Sequence, residues 1–337
     1  MATNTSGNIG YRTNAYVKGR MLQRGQYLLV TERFGQSAPI PKHASKTRTF
    51  RRVNALLRAT APLAEAVVPA GQQLSVTDVT CTMEQYGAWV PLSDVVLDTN
   101  EDPILNEAAD ACGEQAAETI EVVRIAVLTG GTNVFYVGTA TTRATVNGSL
   151  AGSNGRDVFR KVYRSFKTNK AREISKIIKA TAMVATQPVA PAYFAMGHTD
   201  LLADLAGATG FVPIENYSDS AQALPGEVGK LEQVRIILTP LFEPWLAAGT
   251  SGSTYLTNRV KGTGAADVYP LIVVARDAYG IVPLQGEQSV NVVIQNPKAS
   301  IVDPMEQIGF VSWKTMQTAV ILNQAWLARI ETAATAL

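Results

Sequence analysis

One stretch, residues 103–129, constrains this chain more than any other. Glu101 and Asp102 precede Pro103, an arrangement suited to a first helical turn. Leu105, Ala108, Cys112, Ala116, Ile120, Val123 and Val127 then recur every three or four residues, the period of one helix face. Gly130 and Gly131 stop the pattern. At the helical rise per residue the stretch spans roughly 40 Å. Glu107, Asp110, Glu114, Glu118 and Glu121 fall on the other side, which reads as a solvated acidic face or as a docking face for a basic partner.

The rest of the chain reads mainly as strand. Alternation of apolar and polar residues predicts strands over 46–54 and 73–83, with Tyr86, Trp89, Val90 and Leu92 following in 84–92, and apolar runs predict core strands over 192–196, 231–239, 270–276 and 289–295. Much of 307–331, with Phe310, Trp313, Val320, Leu322, Trp326, Leu327 and Ile330, also reads as strand. Possible short strands fall at Val134–Val137 in a Gly/Thr/Asn/Ser-rich stretch, and turns fall at 248–253 and 262–264. A basic helical stretch is expected over 157–179, with Val158, Val162, Phe166 and Ile174 on one side, and a short helix over 200–206. Residues 1–20 are polar and read as an arm that orders only against a partner. A short helix over 21–34 is expected to end at Gly35. Residues 46–92 read as a long two-stranded excursion, and such a hairpin is marginal in water without a surface to lie on. The sum is an α+β chain of one elaborated domain or two lobes.

Charge is segregated along the chain. Residues 1–58 hold eleven Lys/Arg and one acid, residues 59–123 twelve acids and no Lys or Arg, and residues 124–179 eleven Lys/Arg and two acids. Such blocks steer and register one segment on another, within a fold or between copies. The excursion's basic residues Lys46, Arg48, Arg51, Arg52 and Arg58 are therefore candidate partners, across a subunit interface, of the acidic face of 103–129, with acids later in the chain as the alternative. Only 17% of residues are charged against 46% hydrophobic, which suits a protein that buries surface against others. A net charge of +2 does not favour a generally basic nucleic-acid binder. No apolar run is long enough for a membrane span, and the first thirty residues do not read as a secretory signal. Cys81 and Cys112 read as small apolar fillers in a reducing compartment.

Catalytic patterns are sparse. His43 and His198 are the two histidines, and no phosphate-binding glycine loop, dinucleotide fingerprint or nucleophile elbow occurs. His198 with Asp200 and Asp204 reads as a helix start rather than a metal site. Arg156, Arg160, Arg164 and Lys167 form a helix stripe that faces solvent, an acidic neighbour or nucleic acid. An enzyme with a two-lobed α/β fold is the reading these absences disfavour, and no metal or cofactor is expected.

At 46–94 the sequence KTRTFRRVNALLRATAPLAEAVVPAGQQLSVTDVTCTMEQYGAWVPLSD resembles the major capsid proteins of the coliphage N-four-like family. Pro62, Leu63 and Glu65 match its turn, and Ser75, Asp78, Gln85, Tyr86, Gly87, Ser93 and Asp94 its following strand and end. Ala66 stands where that family has Gly, and Cys81 where Ala is common. GEQAAETIEVVRIAVLTGGT at 113–132 is similar to the family's spine-helix motif, and QIGFVSWKTMQTAVILNQAWLARIE at 307–331 to its closing strand. The resemblance covers most of the chain and is weakest over 133–270.

It implies the Hong Kong-phage capsid fold, divided as an N-terminal arm over 1–45, an extended loop over 46–95, a peripheral domain over 96–190, an axial domain over 191–299, and a C-terminal strand over 300–337 returning to the peripheral domain. It also implies self-assembly into hexamers and pentamers of an icosahedral head in the host cytoplasm, enclosing double-stranded DNA without sequence readout. Portal, scaffolding and decoration proteins are the implied partners. A bacterial nanocompartment shell of the same fold is the alternative.

Overall fold

The computed structural model describes residues 29–60, 62, 68–95, 104–179, 185–217, 224–252, 254–285, 290–295, 297–298 and 304–336. The arm expected over 1–20 lies outside them. Two sheets organise the rest, and the spine helix, Ile104–Thr129, packs on both.

The first sheet is built on one long strand, Ile308–Ile321. Glu84–Ser93 pairs antiparallel along one of its edges, from Ile308↔Ser93 to Gln317↔Glu84. The other edge is shared by Val290–Gln295 and Tyr279–Pro283, and Gln36–Ser37 runs parallel outside the latter. Alternate residues of the long strand turn inward. Val311 and Trp313 meet Ala109, Cys112 and Ala116 of the spine helix, whose small side chains let helix and sheet approach closely. The Trp313 indole donates to Gln115 Oε1 at 3.0 Å.

The second sheet has eight strands. Its main path runs Val134–Tyr136, Leu327–Ala333, Val268–Val274, Ala185–Gly197, Val234–Leu238, Glu227–Leu231 and Phe211–Pro213, and Ile174–Lys179 pairs with Ala185–Gly197. Val268–Val274 and Val234–Leu238 are buried throughout, as strands covered on both faces must be. Period two divides their contacts. Leu271 and Val273 join Val158, Phe159, Val162 and Phe166 of the second helix, Gly152–Thr168, while Ile272 and Val274 join Ile125 and Leu128 of the spine helix. The spine helix thus belongs to one sheet at its start and to the other at its end. Arg329 fixes that end, donating to the carbonyl of Thr129 and pairing with buried Glu331 at 2.9 Å.

Four expectations change. Residues 84–92 do not continue the two-stranded excursion: the hairpin comprises Thr47–Val53 and Val76–Thr82, and the next strand belongs to the first sheet. The basic helix ends at Thr168, where the chain turns through Lys170 at φ 53° and Ile174 begins a strand. The helix expected over 21–34 is, among the described residues, one 3-10 turn at Thr31–Arg33. Residues 30–40 are part of the body rather than an arm, because their apolar side chains have somewhere to go. Val30, Phe34 and Ile40 are buried, and Phe34 stacks on Phe194 with ring centroids 4.4 Å apart.

Candidate assembly surfaces

The hairpin has two unlike faces. Thr47↔Thr82, Thr49↔Thr80, Arg51↔Asp78 and Val53↔Val76 lie on one face, and all eight residues are exposed. Phe50, Val79 and Cys81 lie on the other and are half-buried. Phe50 anchors the hairpin base, packed with Cys81 against Ile40, Met83, Val282 and Leu284. Beyond the paired strands, Asn54 N donates to the Ser75 carbonyl at 2.9 Å and the Gln72 amide to the Leu57 carbonyl at 3.2 Å, so the two arms stay together outward. This outer part, together with the last strand pair Val53↔Val76, carries Leu56, Leu57, Val68 and Leu74, with Leu57 84% and Val68 91% exposed. One contiguous segment that leaves so many large aliphatic side chains in water marks an interaction surface.

Lys46, Arg48, Arg51, Arg52 and Arg58 are all exposed. Arg51 differs from the rest: its guanidinium makes a two-pronged contact with Asp78 across the hairpin, both bonds 2.9 Å. Each holds the other charged, so the Arg51 pKa is raised and the Asp78 carboxyl is held below its ordinary range. Arg51 therefore stiffens its own hairpin.

The acidic helix face needs a larger correction. The exposed stripe of the spine helix runs Glu107, Ala111, Gln115, Glu118, Val122 and Ala126. Glu114 is half-buried, and Asp110 and Glu121 are buried. Glu121 accepts from Val30 N at 3.1 Å, Thr31 N at 2.9 Å and Thr31 Oγ1 at 2.7 Å. Burial pushes its carboxyl pKa up, against these bonds and the Arg124 charge. Glu121 is thus a tie that holds the incoming chain to the helix. Its place on the helix had a sequence signal, since Ala117, Glu121, Arg124 and Leu128 follow a four-three-four spacing that is buried throughout.

The basic stripe of the second helix is largely neutralised within the chain. Arg160 meets Glu232 at 2.8 Å, Lys167 meets Glu173 at 2.6 Å and Arg156 lies 4.0 Å from Asp157, while Arg164 is exposed. His198 Nδ1 accepts from Asp200 N at 3.0 Å and starts the 3-10 turn Thr199–Leu201, as the helix-start reading has it. Among the described residues no three His, Cys, Asp or Glu side chains group as a metal site would need, and no helix is long and apolar enough to cross a membrane. Sequence reasoning missed a second surface. Trp89 is 57% exposed and meets Phe310 edge-on at 6.4 Å, with exposed Val293 on the same sheet. Strand pairing, which a local reading does not supply, brings these three together.

Phage shells are among the solved structures with this architecture. The cyanophage Pam1 capsid asymmetric unit matches 99% of this chain and 96% of its own, with a TM-score of 0.64 at 12% identity. The capsid of Ralstonia phage GP4 matches 90% of each chain, with a TM-score of 0.64 at 11% identity. The fold is therefore the Hong Kong-phage capsid fold. Residues 77–321 match the family model described as phage capsid protein, and the chain belongs to that family. A curated relative, the major capsid protein of Pseudomonas phage KPP21, is 24% identical over 269 residues. That match takes in 75% of this chain and spans 66% of the relative's length. Membership of that family makes the chain a phage capsid protein, located in the virion capsid, and the nanocompartment alternative is not favoured.

Proposed function

We propose that copies of this chain assemble, as hexamers and pentamers, into an icosahedral head, and that the hairpin is the extended loop that lies on a neighbouring copy. The observation that carries this is the hairpin's outer part, whose described aliphatic side chains are about half exposed or more. Burial of these side chains against a neighbour supplies the favourable term, and closed symmetry multiplies a weak contact over many copies. Lys46, Arg48, Arg52 and Arg58 set encounter and register. Their acceptor on the neighbour's spine helix is the Glu107–Glu118 stripe with part of Glu114, because Asp110 and Glu121 face inward.

In this reading the first sheet and the N-terminal part of the spine helix make the peripheral domain. The second sheet with its covering helix makes the axial domain, so strands 279–283 and 290–295 belong to the former and 327–333 to the latter. Assembly takes place in the host cytoplasm, the interior takes up double-stranded DNA without sequence readout, and portal, scaffolding and decoration proteins complete the head. The role is structural, without enzymatic turnover.

The test is shell formation by Leu57→Asp with Leu74→Asp, and separately by Arg52→Glu with Arg58→Glu, each checked for folding by circular dichroism. Both pairs should fold. The first should lose shells nearly completely, and the second should assemble more slowly and with a weaker dependence on salt. Wild-type shell yields from the aspartate pair would refute the loop assignment.

A further inference from the structure

The buried carboxylate of Asp267 has an unusual task. It has no solvent exposure and accepts three backbone N–H groups: Ala247 at 2.8 Å, Asn258 at 3.0 Å and Arg259 at 2.6 Å. All three donors have positive φ, at 49°, 49° and 62°. Asn258 and Arg259 are the two central residues of the tight turn joining Leu256–Thr257 to Val260–Lys261. Turns of this kind favour Asn-Gly, and an arginine at the second position is strained. Asp267 thus holds two adjacent loops rigid, one of them in a conformation its own sequence resists.

The two loops present an exposed surface. Leu246 is 52% exposed beside Ala247, and Val260 is 61% exposed beside the strained turn. Arg259 and Lys261 flank Val260, and Glu243 lies 3.6 Å from Arg259. Tyr255 fastens the hairpin from behind, donating to the Asn147 carbonyl at 2.9 Å, and Leu256 N donates to the Ala334 carbonyl at 2.9 Å. A glycine at this exposed, well-anchored turn would fold more easily, so the strain that Arg259 carries is a reason to look for its use outside the subunit's own folding.

We propose that the tip formed by Leu246 and Asn258–Lys261 is a contact surface for a second copy of this chain. Two aliphatic side chains ringed by charges of both signs cover far less than the roughly 1,000 Å² that a stable pair of proteins needs. Such a patch fits a contact repeated around a closed ring, where each small contribution is multiplied and orientation matters more than area. Rigid presentation lowers the entropy lost on docking. The inference rests on the capsid reading above and adds to it a contact separate from the 47–82 hairpin.

Arg259→Gly separates folding from contact. The turn then has its favoured Asn-Gly pair, so thermal stability should stay equal or rise, while shell yield should fall severalfold. Leu246→Asp with Val260→Asp changes only exposed side chains and should reduce shells at least tenfold with unchanged circular dichroism. Hydroxyl-radical footprinting of the wild type should show Leu246 and Val260 oxidised severalfold less in shells than in free subunits. Equal oxidation in both states, or wild-type yields from the aspartate pair, overturns the proposal. Wild-type protein that forms no closed shells under any condition tells against the capsid reading itself and removes the basis of this one.

Discussion

Glu121 and His198 show how single buried polar groups hold parts of this subunit together. The Glu121 carboxylate serves three donors on Val30 and Thr31, and the Tyr279 hydroxyl donates in turn to the Thr31 carbonyl. Removing it leaves those donors unsatisfied in a dry site. Glu121→Ala should therefore cost about 3 kcal/mol in denaturant unfolding and expose the chain around residue 30 to proteolysis. A loss below about 1 kcal/mol would mean that water takes the carboxylate's place. His198 acts through its neutral form, since Nδ1 must accept from Asp200 N. Burial lowers its pKa from the ordinary 6.5, against the pull of Asp200. A depressed histidine pKa means that the unfolded chain binds the proton more readily, so this contribution is present above the ordinary pKa and is lost as pH falls through it. Wild-type stability should drop as pH falls below the ordinary 6.5, and His198→Asn, which keeps an acceptor that does not titrate there, should flatten that part of the curve. Identical pH curves would remove His198 from the account. The helix start at His198 was legible locally, whereas the partners of Glu121 were not, because Val30 and Thr31 lie about ninety residues away.

At the scale of elements, legibility followed the range of the interactions. The spine helix was readable to within a residue because Leu105 to Val127 repeats locally and Gly130 stops it. Core strands at 234–238 and 268–274 were readable because they are apolar throughout. The partner of 84–93 was not readable, because it lies more than 200 residues away in Ile308–Ile321. The end of the second helix was missed because Lys170, not a glycine, takes the positive φ after it. The hairpin base depends on a contact of the same non-local kind. A Cβ added at Gly280 would lie 2.7 Å from the Phe50 ring. Gly280→Ala should push Phe50 off its seat at a cost of about 1–3 kcal/mol and speed proteolytic nicking around residues 54–75. Phe50→Ala should give the same nicking without the clash. Wild-type nicking rates in both variants would show that the hairpin is held elsewhere.

At the scale of the whole molecule, the two sheets and the helix they share make the body, and among the described residues large exposed apolar side chains include those of the 47–82 hairpin, the Trp89–Val293 patch and the Leu246–Val260 tip. The segregated charge foreshadowed a protein that meets copies of itself, although the structure spends much of that charge internally, as in Arg51–Asp78, Arg160–Glu232 and Lys167–Glu173. The central claim is that the hairpin joins neighbouring subunits of a closed head. A cryo-electron-microscopy reconstruction of assembled particles tests it most directly. The account predicts closed icosahedral shells in which residues 47–82 leave their own subunit and bury Leu57 and Leu74 on the next. Shells in which that hairpin folds back onto its own subunit, with those leucines still in solvent, would contradict it.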